Sequence, residues 1–380
     1  MKIVMVDALV GNDYSFCLCA SLRGVGLDVT LVVTEDRSEE LPIPINFQLK
    51  KWLPSKDSTR NKWRKAFKYM QYLLKLLWYV VRNRVDVVHF QFFRLPRIDS
   101  LFCVLLRLIG VDFVYTAHDV LALEGKRIDF LFLQLIYSTS KVIYVHSEYI
   151  KRVVLEKFYV RNGKIKVVQH GNFDHYFQHR NIPREKARQC LGLSSTDHVL
   201  LFFGIIREYK GLDLLLEAFE IASKDNKHLR LVIAGLPITP ELKRFYDEQV
   251  AISSAKERIV YHAEFIPTNK VAEYFFACDV VILPYKNIYH SGVLHLAYSC
   301  GRPVIATKVG DFSETIEHGK SGYLFEKADV HCLSRAIVAA FAEPDTLLAM
   351  GQYARKLSEE HYTWDAIAKK MLHEYAVFAK

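Results

Sequence analysis

Short apolar runs alternate along the chain with longer stretches in which apolar residues recur every three or four positions. In the first half the runs are Ile3–Val6, Val29–Val33, Val85–Phe90, Phe113–Thr116, Val142–His146 and Lys166–Gln169. In the second half they are Val199–Phe203, Leu229–Ala234, Ile259–His262, Val280–Pro284 and Val304–Ala306. Val87-Val-His-Phe90 and Val280-Val-Ile-Leu283 are apolar on successive positions, which fits strands covered on both faces, as in parallel sheets under helices. Strands alternating with helical stretches predict a doubly wound α/β architecture. Two such sets predict two Rossmann-like domains, 1–175 and 190–362, joined by the polar segment near 174–196. A closing helix, about Ala366–Phe378, is expected within 363–380, after Trp364. No internal repeat or low-complexity tract interrupts this pattern.

At 380 residues, 51% of them hydrophobic, the chain can fill one core in each of two domains. The seven cysteines, at 17, 19, 103, 190, 278, 300 and 332, are odd in number and lack metal-like spacing, which suits a reducing cytosol. Met1-Lys-Ile-Val-Met-Val-Asp7 reads as a first core strand rather than a leader. No run of 18 uncharged apolar residues occurs, so no spanning helix is expected.

The net charge of +9 changes the picture because it is unevenly placed. Lys50 to Arg84 carries eleven Lys/Arg against one acid, Asp57, together with Trp52, Trp63, Phe67, Tyr69, Tyr72, Trp78 and Tyr79. On a helix, this mixture reads as a surface resting on anionic lipid. The plainer reading is an amphipathic helix with Leu73, Leu76, Leu77 and Val80 in the core and lysines outside. The first reading is preferred here, giving a cytoplasmic protein peripheral to the inner face of the cell membrane. Nucleic acid is set aside as a partner, because no recognition module accompanies the charge.

The candidate chemistry sits just past predicted strands. Phe202-Phe-Gly204-Ile-Ile-Arg207-Glu-Tyr-Lys210-Gly211-Leu-Asp213 reads as a strand, a glycine turn and a basic pair opening a helix. Ser291-Gly292-Val293-Leu294 reads as a turn running into a second helix start. A helix N-terminus offers unpaired N–H groups and about half a positive charge, so it welcomes an anion. Cations at such an end are unfavourable alone and are easier to explain when an anion is bound. Together the two segments suit a diphosphate, although Ser291 would also serve as a plain N-cap. His118, in Tyr115-Thr-Ala-His-Asp119, and His170-Gly171-Asn172 follow strand carboxyl ends, where open α/β sheets bind ligands. The plainer reading of His118 is a buried imidazole bonded to a backbone carbonyl. Gly11 follows the first strand. No metal-ligand cluster and no Ser-His-Asp arrangement stands out.

These segments recur in order with Asp279-Val-Val-Ile-Leu-Pro284-Tyr285, Cys300-Gly301-Arg-Pro303, Gly310 with Glu314, His318-Gly319-Lys-Ser-Gly322 and Tyr362-Thr-Trp364. Together they resemble the retaining glycosyltransferases of family 4 (glycosyl transferases group 1), which have the GT-B fold. The resemblance spans nearly the whole chain and is strongest from about 165 to 370. It implies two domains facing each other across a cleft, with the last helix crossing back onto the first. It implies a hexosyltransferase that moves a sugar from a nucleotide donor to a saccharide or lipid-linked saccharide, in surface polysaccharide or glycoconjugate synthesis. It assigns Gly204, Lys210, Phe265, Ile266, Ser291, Gly292, Val293 and Glu314 to the donor. His118, Arg207 and Lys210 become the catalytic group, and Gly11, His170 and Gly171 line the acceptor side. No metal or cofactor is implied, since Lys, Arg and helix N-termini can neutralise a departing diphosphate.

The chain departs from the family pattern in two places. The family's Arg directly after the first Gly is replaced by Ile205, and Arg207 is taken to serve. Two family glutamates, with seven residues between them, correspond to Ile288 and Leu296. Sugar positioning and ribose binding then fall to other groups, of which Tyr289, His290 and His295 are the nearest polar candidates. A non-catalytic nucleotide-sugar-binding scaffold and a GT-B-fold nucleotide-sugar epimerase remain open as alternatives. A nicotinamide dehydrogenase is disfavoured, because the first strand lacks Gly-x-Gly-x-x-Gly.

Overall fold

The computed structural model describes residues 1–9, 13–36, 43–55, 62–120, 127–177, 182–326 and 329–376. The chain divides into two compact units, Met1–Gly171 with Thr363–Lys380, and Asn172–Tyr362.

The first unit runs β1 (Lys2–Val6), α1 (Tyr14–Gly24), β2 (Asp28–Thr34), β3 (Gln48–Leu53), α2 (Lys62–Arg82), β4 (Val87–Phe90), α3 (Pro96–Leu108), β5 (Asp112–Thr116), α4 (Arg127–Thr139), β6 (Val142–Val145), α5 (Glu148–Lys157) and β7 (Ile165–Val167). Its sheet has the order β3-β2-β1-β4-β5-β6-β7, and every pair is parallel. β1 and β4 are buried through most of their length, which explains runs without polar alternation.

The second unit runs α6 (Arg184–Cys190), β8 (His198–Phe203), α7 (Leu212–Ala222), β9 (Leu229–Ala234), α8 (Pro240–Ile252), β10 (Ile259–His262), α9 (Val271–Ala277), β11 (Val280–Leu283), α10 (Gly292–Ser299), β12 (Val304–Thr307), α11 (Phe312–Thr315), β13 (Gly322–Phe325), α12 (Val330–Ala342) and α13 (Pro344–His361). Its parallel sheet has the order β10-β9-β8-β11-β12-β13. The doubly wound α/β class read from the sequence is therefore the one observed, twice.

Two strands escape the sequence pattern. β3 is an edge strand with only Leu53 buried, so polar residues mask its period. β13 is four residues long and begins at a glycine. β3 also corrects the reading of 50–84 as one helix. Lys50, Lys51 and Trp52 lie on the strand, and the Lys75 ammonium of α2 sits 4.6 Å from the Trp52 ring. Within the polar segment 174–196, α6 packs on α9, and its buried Arg188 donates to Asp279 Oδ2 at 2.9 Å.

After α13 the chain returns to the first unit as α14 (Trp364–Tyr375), which packs on α1. Thr363 caps it by accepting the Ala366 N–H. Ile367, Ala368, Met371 and Tyr375 join the core formed by Phe16, Leu18 and Leu22 of α1. The Trp364 ring covers Gly171, where any β-carbon would collide with the indole. At the other end the Tyr375 hydroxyl is hydrogen-bonded to His89 Nδ1 at 2.5 Å, and His89 Nε2 lies 2.7 Å from Thr116 Oγ1. A helix from the end of the chain is thus hydrogen-bonded into the central strands of the first sheet.

Burial lowers the pKa of His89 from 6.5 to about 3. The unfolded chain therefore takes up a proton below about pH 6.5 that the native state refuses. Stability should fall by up to about 1.4 kcal/mol per pH unit on acidification through that window. Denaturant titrations at stepped pH should show this slope flattened in His89→Gln. An unchanged slope in the variant would place the acid sensitivity elsewhere.

Candidate functional site

In the second unit the strand order reverses between β8 and β11, the position at which open α/β sheets form a ligand crevice. The loop after β8 carries Gly204, Arg207 and Lys210. Gly204 has φ +97°, a left-handed conformation that few side chains tolerate. Residues Glu208–Lys210 form one 3₁₀ turn, and Gly211 begins α7 against the Pro284 carbonyl that follows β11.

This turn drives the Lys210 side chain inward. Lys210 is buried, and its ammonium lies 5.6 Å from the centre of the Tyr285 ring. Burial, with a smaller contribution from the Arg207 charge, lowers its pKa from 10.5 to about 8. Among the described residues no carboxylate pairs with it. The acid at the start of α7, Asp213, is held instead by Lys286 at 2.5 Å. A desolvated cation whose charged neighbour is another cation is a costly arrangement without an anion.

The second predicted segment lies beside the first. A β-carbon placed on Gly204 would sit 3.4 Å from Lys210 Nζ and 3.5 Å from Val293 Cγ2. Val293 belongs to the first turn of α10, whose N-cap is Ser291, buried and in extended conformation. No side chain caps this end. The structure therefore brings together Gly204, Lys210, Ser291, Gly292 and Val293, with Arg207 half-buried in the same loop. A buried ammonium and a helix N-terminus beside one glycine are both groups that attract an anion.

The remaining donor-side candidates lie on other loops of the same unit. Ile288 and Leu296, at the positions matched to the family glutamates, are both buried. Next to them His290 Nδ1 lies 2.6 Å from Asp311 Oδ2, with both side chains buried. The His295 ring is 5.0 Å from that of His290 and meets Tyr362 edge-on at 4.6 Å. Asp311 is the N-cap residue of α11, so this pair ties the approach to α10 to the helix carrying Glu314, which is exposed. Phe265 is exposed and Ile266 buried, just beyond β10 at the sheet edge.

In the first unit His118 belongs to a network that the sequence reading did not foresee. His146 Nδ1 donates to the Val168 carbonyl at 3.0 Å, which leaves Nε2 of a neutral His146 to accept from His118 Nδ1 at 2.9 Å. On its other side His118 Nε2 lies 2.9 Å from Gln91 Oε1. Phe92 stacks on His118 at 4.4 Å, and Tyr14 meets it edge-on at 4.7 Å. His170 is buried nearby, its ring 5.0 Å from Tyr14, and Gly171 lies under Trp364. The missed signal was positional: His146 follows the end of β6 just as His118 and His170 follow the ends of β5 and β7. Gly11 lies outside the described residues.

A cavity of about 420 Å³ in the second unit is lined by Glu208, Asp213, Glu241 and Lys286 among others. Three acids make it a poor seat for a diphosphate, so cavity size does not mark the anion site. Among the described residues no group of three His, Cys, Asp or Glu is placed to hold a metal.

Residues 183–357 match the profile described as glycosyl transferases group 1, and residues 14–171 that of glycosyltransferase family 4. A D-inositol 3-phosphate glycosyltransferase of Gordonia bronchialis is 27% identical over 286 residues, covering 70% of this chain and 61% of that protein. An alpha-maltose-1-phosphate synthase of Mycolicibacterium smegmatis is 28% identical over 203 residues, covering 51% of each chain to within a percentage point. The chain spans only about half to three fifths of the length of these relatives. Among solved structures, sucrose-phosphate synthase from Thermosynechococcus elongatus superposes with a TM-score of 0.79 at 18% identity, covering 99% of this chain and 98% of that one. HepE of Anabaena, crystallised with UDP-glucose, gives 0.79 at 16% identity, covering 99% and 100%. At such identities the likeness is one of fold, and that fold is GT-B.

The lowered pKa of Lys210 predicts a pH dependence. Below about pH 8 the amine is charged and attracts a diphosphate; above it the charge is lost and affinity should fall. Calorimetric titration with nucleoside diphosphates from pH 7 to 9.5 should show this decline in the native protein. Lys210→Arg should hold its affinity across the range, and Lys210→Ala should bind weakly throughout. A native profile as flat as that of the arginine variant would contradict this assignment.

Proposed function

Because this chain belongs to the glycosyltransferases of group 1 and family 4, we propose that it moves a sugar from a nucleotide-diphosphate donor to a saccharide or lipid-linked saccharide with retention at the anomeric carbon. One observation carries this reading: Lys210 is buried without an acid, beside the uncapped start of α10. That combination suits a group bearing two negative charges, as a diphosphate does.

In the proposed reaction the anomeric carbon–oxygen bond to the diphosphate breaks through an oxocarbenium-like state. Charge growing on the leaving oxygen is met by Lys210, Arg207 and the N–H groups of Ser291, Gly292 and Val293. The acceptor hydroxyl adds to the same face of the sugar, and its proton passes to a diphosphate oxygen. No protein nucleophile and no metal or other cofactor is required by this scheme. His118 is given a hydrogen bond to a hydroxyl of the transferred sugar, and its contacts with His146 and Gln91 orient the ring. Glu314 and the backbone of Phe265–Ile266 are given the ribose and base. Gly11, His170 and Gly171 are given the acceptor side. The name of one relative, a D-inositol 3-phosphate glycosyltransferase, supports a hydroxyl-bearing acceptor; the lipid-linked acceptor and the place in glycoconjugate synthesis are carried by the family resemblance.

A second reading, a nucleotide-sugar-binding scaffold without turnover, draws on the burial of apolar Ile288 and Leu296 at the family's glutamate positions.

A panel of UDP-, GDP- and ADP-sugars, scored by thermal shift and by release of nucleoside diphosphate, separates the two. The transferase reading expects a shift with one nucleotide class, slow release of its diphosphate, and roughly a 10²–10³-fold loss of turnover in Lys210→Ala. A shift without release, even with membrane extract supplied as acceptor, would favour the scaffold. No shift from any donor would refute both.

A further inference from the structure

Helix α2 has three faces where an ordinary surface helix has two. Tyr69, Tyr72, Leu73, Leu76 and Val80 are buried and hold it to the unit. The Tyr69 hydroxyl donates to Asp99 Oδ1 of α3 at 2.5 Å, fixing the rotation of the helix. A second apolar row points outward: Trp63, Phe67, Met70, Leu74, Trp78 and Val81 are 86, 64, 48, 58, 62 and 57% exposed. Their spacing of three and four residues places them on one stripe. Arg64, Lys68, Lys75 and Arg82 form a third row, exposed and offset from the apolar stripe by less than a quarter of a turn at its near edge.

A contiguous exposed stripe of this kind along a helix of about 30 Å calls for something to cover it. The charges choose among the candidates. α2 contains six Lys/Arg and no Asp or Glu. A second copy packed symmetrically on the stripe would bring two cationic rows together. An anionic lipid surface meets both rows at once, with the apolar side chains below the headgroups and the cations among the phosphates. α3, which the same crossover direction places on the same side of the sheet, exposes Leu101, Leu105 and Leu108 beside Arg97 and Arg107. No described helix is long and apolar enough to cross a membrane, so α2 would lie in the plane of one leaflet.

We propose that α2 is an in-plane membrane helix whose Trp63–Val81 stripe enters the acyl boundary of an anionic leaflet. This differs from the electrostatic resting surface read from the sequence. Insertion of apolar side chains supplies a salt-resistant part of the attachment, and the Lys/Arg row supplies the selectivity for anionic lipid. The attachment does not depend on the identity of the donor.

Flotation with vesicles of phosphatidylcholine, with and without phosphatidylglycerol, tests this on the full chain. The native protein should float with the anionic vesicles at low salt and retain part of that binding at physiological salt. Leu74→Glu with Trp78→Glu should lose binding at least tenfold at both. Arg64→Gln with Lys68→Gln and Arg82→Gln should lose the preference for phosphatidylglycerol. Because all these positions are exposed, thermal melts and nucleoside-diphosphate affinity should stay as in the native protein, so a failed attachment is distinguishable from a failed donor site. Brominated lipid should quench Trp63 and Trp78 fluorescence in a Trp52→Phe background. The proposal is overturned if the native protein ignores anionic vesicles, or if the Glu double variant binds them equally well. It is also overturned if light scattering shows a dimer that Leu74→Glu dissolves, which would make a second copy the occupant.

Discussion

A lysine ammonium held out of water without a carboxylate is the constraint around which the second unit is arranged. Lys210 reaches its place because Gly204 turns the chain out of β8 in a conformation few other residues adopt, and because Gly211 lets the next helix start against Pro284. Asp213, the acid best placed in sequence to neutralise it, is engaged by Lys286. The start of α10 completes the arrangement by adding oriented N–H groups rather than another acid. Local charge balance has been given up at this buried point. Such a concession is expected where a ligand supplies the missing partner.

Much of this could be read from the chain, for physical reasons that differ between elements. Strands such as β4 and β11 were legible because both faces are covered, so their composition needs no partner to be interpreted. β3 was not, because an edge strand buries little and carries the polar residues of a surface. Lys210, Ser291 and Val293 were legible because helix starts and glycine turns are local features. His146 and Gln91 were not, because their meaning comes from β4, β5 and β6 lying side by side, which places residues 91, 118 and 146 within hydrogen-bonding reach. The two outward rows of α2 were hidden for a related reason. Periodicity reports that a residue is apolar, whereas only the packed sheet reveals which apolar stripe is left over.

The absent glutamates illustrate how a site can change without losing its frame. Ile288 and Leu296 are buried, so a carboxylate restored at either place would be withdrawn from water and would need a partner. Two residues beyond Ile288, His290 pairs with Asp311, the N-cap residue of α11. The carboxylate of that pair comes from the start of the neighbouring helix and is already matched to an imidazole.

The closing helix has a further meaning in time. α14 fills the core of the first unit, covers Gly171 and supplies the hydroxyl bonded to His89, yet it follows the whole of residues 172–362 in the chain. During synthesis the first sheet can form while its groove beside α1 stays open, with apolar surface uncovered, until the second unit has been made. Contacts of such long sequence separation are slow to close. The first unit is therefore begun first and finished last, and a ribosome that stalls within residues 172–362 leaves both halves of the protein unfinished.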